Sequence, residues 1–143
     1  MSIARIVAGR PAEHVVTALA SQSVRDAIGL LAEHRIGALP VMEGDRCVGV
    51  FSERDVIYCL ATDGAAALDK PVSALMSDAP VTVSPDTDVI EALSLITRRR
   101  VRHLPVIDGE RFVSFVSIGD LVKVRLEAVE KEAEAMLSYI QMT

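Results

Sequence analysis

Gly37 to Ile57 reads "GALPVMEGDRCVGVFSERDVI", and Arg102 to Val122 reads "RHLPVIDGERFVSFVSIGDLV". Set one above the other, the two stretches align Leu39 with Leu104, Pro40 with Pro105, Val41 with Val106, Gly44 with Gly109, Arg46 with Arg111, Ser52 with Ser117 and Asp55 with Asp120, each pair 65 positions apart. The register holds without a gap from Val16–Ile57 to Val81–Val122, where Thr17/Thr82, Val24/Val89, Ala27/Ala92 and Arg35/Arg100 also coincide. Unrelated segments rarely keep such a register, so the chain states one structural unit twice.

Each unit can be read locally. A short β-prone piece opens it, "VVTAL" in the first and "VTVS" in the second. Val24, Ala27, Ile28 and Leu31 then fall at helical spacing, as do Val89, Ala92, Leu93 and Ile96. Ser23 with Asp26, and Asp88 with Glu91, sit at capping-box spacing at the two helix starts. A strand through Leu-Pro-Val follows, then a Gly-centred turn suited to a β-hairpin, "EGD" or "DGE", and a second strand. Ser-x-x-Asp opens a further helix. The order is βαββα, twice, an α+β fold. The predicted boundaries within one 1–143 domain are 14–60 and 81–125 for the repeats, 61–80 for a connecting segment and 126–143 for a C-terminal helical extension. In the connecting segment the expected elements are a loop around Asp63-Gly64 and a short helix with Asp69 as cap and Pro71 in its first turn. Beyond Asp120, the residues Val122, Leu126, Val129, Ala133, Met136 and Ile140 step by heptad-seam spacing. A helix docked on its own domain and a helix paired with a second subunit both fit that stripe.

The bulk properties narrow the class. The 143 residues are half apolar, enough for a real core and too many for a disordered chain, and with 3% aromatics the core must be aliphatic. No apolar run approaches the roughly 20 residues that span a bilayer. The opening residues lack the apolar centre of a signal peptide. Cys47 and Cys59 have no metal or redox spacing and read as reduced thiols, so a cytoplasmic protein is expected. His14, His34 and His103 have no metal-ligand spacing. Ser52, His103 and Asp55 could be drawn as a nucleophilic set, but Ser52 and Asp55 already open a helix and no nucleophile elbow surrounds them. No catalytic residue and no metal site are expected.

The tandem βαββα order, the "LPV" ahead of a glycine hairpin, the closing "GVFSERD" and "FVSIGD", and "MSDAPVTVSPDTDVIEAL" at the head of the second unit resemble the cystathionine-β-synthase (CBS) domain pair, or Bateman module, over residues 14 to 125. The first unit departs from the pattern, with no proline after its Thr-bearing strand. The resemblance implies two repeats packed about a pseudo-two-fold axis with clefts between them. It implies adenosine-containing ligands such as AMP, ADP, ATP, S-adenosylmethionine or NAD(H), a homodimer, and an unknown regulated protein. With no other domain in view, the chain reads as a stand-alone, non-enzymatic sensor.

The same resemblance assigns residues. An ionised carboxylate is an acceptor with two oxygens, able to take both hydroxyls of a ribose, and the family's ribose Asp falls on Asp55 and Asp120. Ser52 and Ser117, with the free N–H groups of the helices they open, suit a phosphate. Arg54 is a further phosphate candidate. The adenine-reading segments fall on Gly37, Ala38 and Leu39 with Thr17, and on Leu104 and its two preceding residues with Thr82. Ser-x-x-Asp is equally an ordinary N-cap, and the two threonines are equally ordinary strand residues.

The stretch "RRRVRHLPV", Arg98–Val106, stands out in a chain of net charge −5. Arg98, Arg99 and Arg100 end a helix, where cations complement the dipole. Arg102 and His103 lie past it. In a kinase-regulating branch of the family the two positions before Leu-Pro are basic and meet ligand phosphates, which makes Arg102 and His103 phosphate candidates. The first repeat has Gly37 and Ala38 there, so two inequivalent clefts are expected. Ser114, where the first repeat has Gly49, is expected to narrow the second cleft. Two other readings share these residues: a structural dimerisation module with vestigial clefts, and a nucleic-acid binder using Arg98–His103.

Overall fold

The computed structural model describes residues 1–78 and 80–142; Ala79 of the connecting segment and Thr143 of the C-terminal extension lie outside the described residues. In chain order the elements are α1 (Ala4–Gly9), β1 (Ala18–Leu19), α2 (Val24–His34), β2 (Ala38–Glu43), β3 (Arg46–Ser52), α3 (Glu53–Asp63), β4 (Ser77–Asp78), α4 (Val89–Arg99), β5 (His103–Asp108), β6 (Arg111–Ser117) and α5 (Ile118–Met142). The two hairpins, β2–β3 and β5–β6, are antiparallel. Gly44 and Gly109 turn them with φ of 62° and 67°, a left-handed conformation that costs glycine nothing. Their registers shift at equivalent places, Val41/Met42 and Val106/Ile107. The fold is mixed α and β with two repeats, as the internal duplication requires.

The opening strands are shorter than expected, and prolines explain it. Ala18 pairs in parallel with Val41, and Val83 with Val106. Val83 donates to the Pro105 carbonyl and accepts from the Ile107 N–H. The next bond toward the N-terminus would need an N–H on Pro105, and the next toward the C-terminus one on Pro85; neither has it. Val83 is therefore left as a single bridge. In the first repeat Ala20 stands where the second has Pro85, and its N–H reaches the Met42 carbonyl at 2.9 Å, so a two-residue strand forms.

Each helix start is capped from its own sequence. The Ser23 hydroxyl accepts from the Asp26 N–H, and the Asp88 carboxylate from the Ile90 N–H. Each such cap stabilises by about 1 kcal/mol. Arg35 and Arg100 end α2 and α4 in the left-handed region, with φ of 52° and 55°. The connecting segment departs from expectation. It forms two 3-10 turns, Gly64–Asp69 and Val72–Ala74, the second capped by Pro71. Asp69 caps neither; its carboxylate lies 3.4 Å from Arg25.

Three apolar clusters hold the chain together. One gathers Ala18, Val24, Ala27, Leu31, Leu39, Val41 and Phe51 of the first repeat. Its equivalent gathers Val83, Val89, Ala92, Ile96, Leu104, Val106 and Val116 of the second. The third, Ala38, Met42, Phe112 and Phe115 with Val15, Val50 and Ile107 around them, joins the repeats. Each repeat core is closed by a segment from outside the repeat. Val72 fills the first, with N–H bonds running from Val72 to the Gln22 carbonyl and from Val24 to the Lys70 carbonyl. Ile3 fills the second, with bonds from Ile3 to Thr87 and from Val89 to Met1 in the same pattern. The N-terminal segment therefore packs on the second repeat, and the connecting segment on the first. Neither crossing leaves a periodic signal in the sequence.

Only the first turns of α5 are buried, through Leu121 and Val124. Val122, Leu126, Val129 and Met136 of the heptad-spaced stripe are exposed, so the stripe does not dock on the chain's own domain. No helix among the described residues is long and apolar enough to cross a membrane.

Candidate functional site

A cleft of about 380 Å³ opens between the repeats. One wall is the run into β1 and β2: Val15, Val16, Ile36, Gly37 and Ala38. The other is the β5–β6 hairpin and the start of α5: His103, Phe115, Ser117 and Asp120, with Arg10 and His14 at the side. The His103 ring stacks on Phe115, centroids 5.3 Å apart and planes 13° from parallel. The duplicated hairpins put these groups together, because residue 38 ends on the interface between the repeats while residue 103 begins the matching strand. Apolar groups line one side and polar groups converge on the other, the usual build of a small-molecule site.

Asp120 supplies the negative charge. Ser117 and Asp120 cap α5 reciprocally: the Ser117 N–H reaches Asp120 Oδ2 at 2.8 Å and the Asp120 N–H reaches Ser117 Oγ at 3.1 Å. Arg10 then lays its planar fork on the same carboxylate. Its Nη2 donates to Oδ1 at 2.9 Å, and its Nη1 to Oδ2 at 2.6 Å and to the Phe115 carbonyl at 3.1 Å. Burial by itself would raise the Asp120 carboxyl, but the bonds from Arg10 and Ser117 outweigh it and hold it below the ordinary Asp range. The same hydrogen bond raises the Arg10 guanidinium further. Burial pushes His103 below the usual histidine value, with Asp120 opposing, so the ring is neutral near pH 7.

The first repeat builds a related pair with a lighter cover. Asp55 Oδ2 accepts from the Ser52 N–H at 2.9 Å and lies 3.0 Å from Ser52 Oγ, which in turn accepts from the Asp55 N–H. Its other oxygen accepts only a long bond, 3.4 Å, from Ser77 Oγ of β4. Among the described residues, no cation pairs with Asp55 as Arg10 pairs with Asp120.

The candidates from the sequence are thus distributed unevenly. Gly37, Ala38, His103, Ser117 and Asp120 share the cleft, so the Gly-Ala wall belongs with the second repeat's Asp. The expected contrast between a Gly-Ala cleft and an Arg-His cleft is accordingly redrawn: Ala38 and His103 face one cavity. Arg102 and Arg54 are exposed and stand outside its lining, as do Ser52 and Asp55. Leu39 and Leu104 are fully buried in the two repeat cores. Thr17 is half-buried and Thr82 exposed. Arg98, Arg99 and Arg100 are exposed at the end of α4.

Ser114 does not narrow the cleft. It is fully buried, and its hydroxyl donates to the Arg10 carbonyl at 2.8 Å, fastening the N-terminal segment. Its counterpart Gly49 meets the connecting segment so closely that a Cβ would lie 2.9 Å from the Ser77 carbonyl oxygen. Arg10 itself went unrecognised in the sequence: 65 positions on stands Leu75, so the duplication gives no hint of it.

The family model described as the CBS domain matches this chain twice, over residues 6–62 and 72–127. The Arabidopsis thaliana protein CBSX3, described as CBS domain-containing and mitochondrial, is 32% identical over 124 residues, which cover 83% of this chain and 60% of that protein's length. A CBS-domain-containing protein from Agrobacterium tumefaciens has a solved structure similar to this one, with a TM-score of 0.80 at 32% identity, covering 87% of this chain and 99% of that one. CBSX2 of Arabidopsis thaliana, solved in complex with AMP, matches with a TM-score of 0.76 at 26% identity over 89% of this chain and 97% of its own.

Proposed function

The chain belongs to the CBS-domain family and carries the domain twice, and from that premise we propose that it is a non-enzymatic regulatory module that senses adenosine-containing nucleotides. AMP, ADP, ATP and NAD(H) are the ligand class. The observation that carries this reading is the cleft itself: backbone at Gly37–Ala38 faces the Asp120 carboxylate across a cavity of about 380 Å³. That volume lies in the roughly 300–1,000 Å³ range of small-ligand pockets. In this reading the Val15–Val16 and Phe115 surfaces take the base, and Asp120 takes the ribose hydroxyls. The helix start at Ser117 faces the phosphate. Asp55 and Ser52, with Arg54 beside them at the start of α3 and Arg102 just ahead of β5, form the second, pseudo-symmetric binding position. The solved AMP complex of CBSX2 supports the ligand class.

The module acts as a cytoplasmic homodimer on a partner still to be identified. Exposed apolar side chains support the dimer: Ile57 and Tyr58 on α3 are 64% and 63% exposed, and the α5 stripe is uncovered at Leu126 and Met136. The test is thermal denaturation with AMP, ADP, ATP, NAD(H) and S-adenosylmethionine in turn. Any ligand that binds the folded state must raise the melting temperature, by about 2.7 kcal/mol of stabilisation at a hundredfold excess over Kd. The Asp120→Ala and Asp55→Ala variants should each weaken the response. Failure of all five ligands would remove the sensor reading and leave the dimerisation module.

A further inference from the structure

Arg10 is the one arginine or lysine among the described residues lining the cleft, and it lies on the carboxylate that the nucleotide reading needs. A vicinal diol requires both oxygens of that carboxylate. Both are engaged: Oδ1 accepts from Arg10 Nη2, and Oδ2 accepts from Arg10 Nη1 and the Ser117 N–H, which fills three of the carboxylate's roughly four acceptor sites. The Ser117 bond belongs to the helix cap and stays. The Arg10 fork comes from another part of the chain and ends on a long side chain that is 41% exposed; its withdrawal breaks the ion pair and the one bond to the Phe115 carbonyl, and no helix or strand bond. Its backbone, meanwhile, is fixed by the Ser114 hydroxyl on the Arg10 carbonyl. A withdrawn guanidinium has a second hollow to enter, of about 230 Å³, lined by Arg5, Gly9, Lys123 and Glu127 on the far side of the same ion pair. Asp55 has no such cover: beyond its own cap with Ser52 it accepts the long bond from Ser77.

We propose that Arg10 is a built-in competitor for the ribose at Asp120: it occupies the acceptor that a ligand's diol must take, and binding in this cleft requires the fork to swing away. The inference rests on the nucleotide reading above. It makes the Asp120 position intrinsically weaker than the Asp55 position, and it ties occupancy of the cleft to the segment that carries Arg10.

The experiment is calorimetric titration of wild type, Arg10→Ala and Arg10→Lys with two neutral probes, adenosine and 2′,3′-dideoxyadenosine, and with AMP as the nucleotide control. Asp55→Ala in every background isolates the Asp120 position. Adenosine should bind Arg10→Ala on the order of tenfold more tightly than wild type, the weight of one charge-assisted hydrogen bond no longer broken. Arg10→Lys, a cation without the fork, should fall between them. Dideoxyadenosine, with no diol, should bind all three alike; a role for Arg10 that is only structural would move both probes together. Equal or weaker adenosine binding by Arg10→Ala overturns the competition and leaves the nucleotide reading standing. No binding of adenosine or AMP by any variant overturns the nucleotide reading and the competition with it.

Discussion

Gly49→Ala tests the close approach between the first repeat and its connecting segment. A Cβ built on Gly49 lies 2.5 Å from Met76 Sδ, 2.9 Å from Met76 Cγ and 2.9 Å from the Ser77 carbonyl oxygen. The methionine side chain can turn away. The carbonyl cannot, because Ser77–Asp78 is the strand paired with Gly49–Val50. Relief requires β4 to move off β3, and overpacking of this kind costs about 1–3 kcal/mol. For a chain of 143 residues that is a fall in melting temperature of roughly 3–12 °C. The control has the opposite sign. Gly29 lies exposed in the middle of α2 with nothing near its missing Cβ, so Gly29→Ala should stabilise by about 1 kcal/mol. Urea melts followed by circular dichroism measure both, with the slope unchanged if only stability moves. A Gly49→Ala protein as stable as wild type would falsify the contact.

Two other predictions concern backbone and charge. Arg35→Gly and Arg100→Gly each relieve a non-glycine residue in the left-handed region at a helix end, and each should add about 1 kcal/mol, read as a higher melting temperature. His103 is held below its usual pKa by burial, with Arg102 lowering it further and Asp120 and Glu53 opposing. As the pH falls from about 7 to 5.5 the unfolded chain therefore binds a proton that the folded ring resists, and stability falls. His103→Gln should flatten that part of the stability–pH curve; an unchanged slope would place the titration elsewhere.

The duplication was legible because identical residues recur at a fixed offset, and identical local physics follows: the same hairpin glycines, the same register shift, and Ser-x-x-Asp caps at Ser52 and Ser117. The shortened opening strands were legible in principle, since Pro85 and Pro105 each remove a donor the ladder needs. The cleft was legible only in part. Gly37, Ala38, His103, Ser117 and Asp120 were recognisable one by one, but which of them face each other depends on how the two sheets meet, and periodicity along a strand carries no such information. Arg10 was invisible for a related reason. Its partner lies 110 residues away, and a single long-range ion pair has no local pattern.

The crossing of the two closing segments bears on how the chain assembles. The first repeat meets its closing residue, Val72, soon after its own last helix has been made, so it can finish early and by short-range steps. The second is closed from the N-terminal side. Its core needs Ile3, which was synthesised before the first repeat began and has no apolar seat until Thr87 and Val89 arrive. Closing so long a loop comes late, because its entropy must be met before any contact repays it. The wall of the cleft that carries Arg10 is thus set in place last, when both halves already stand.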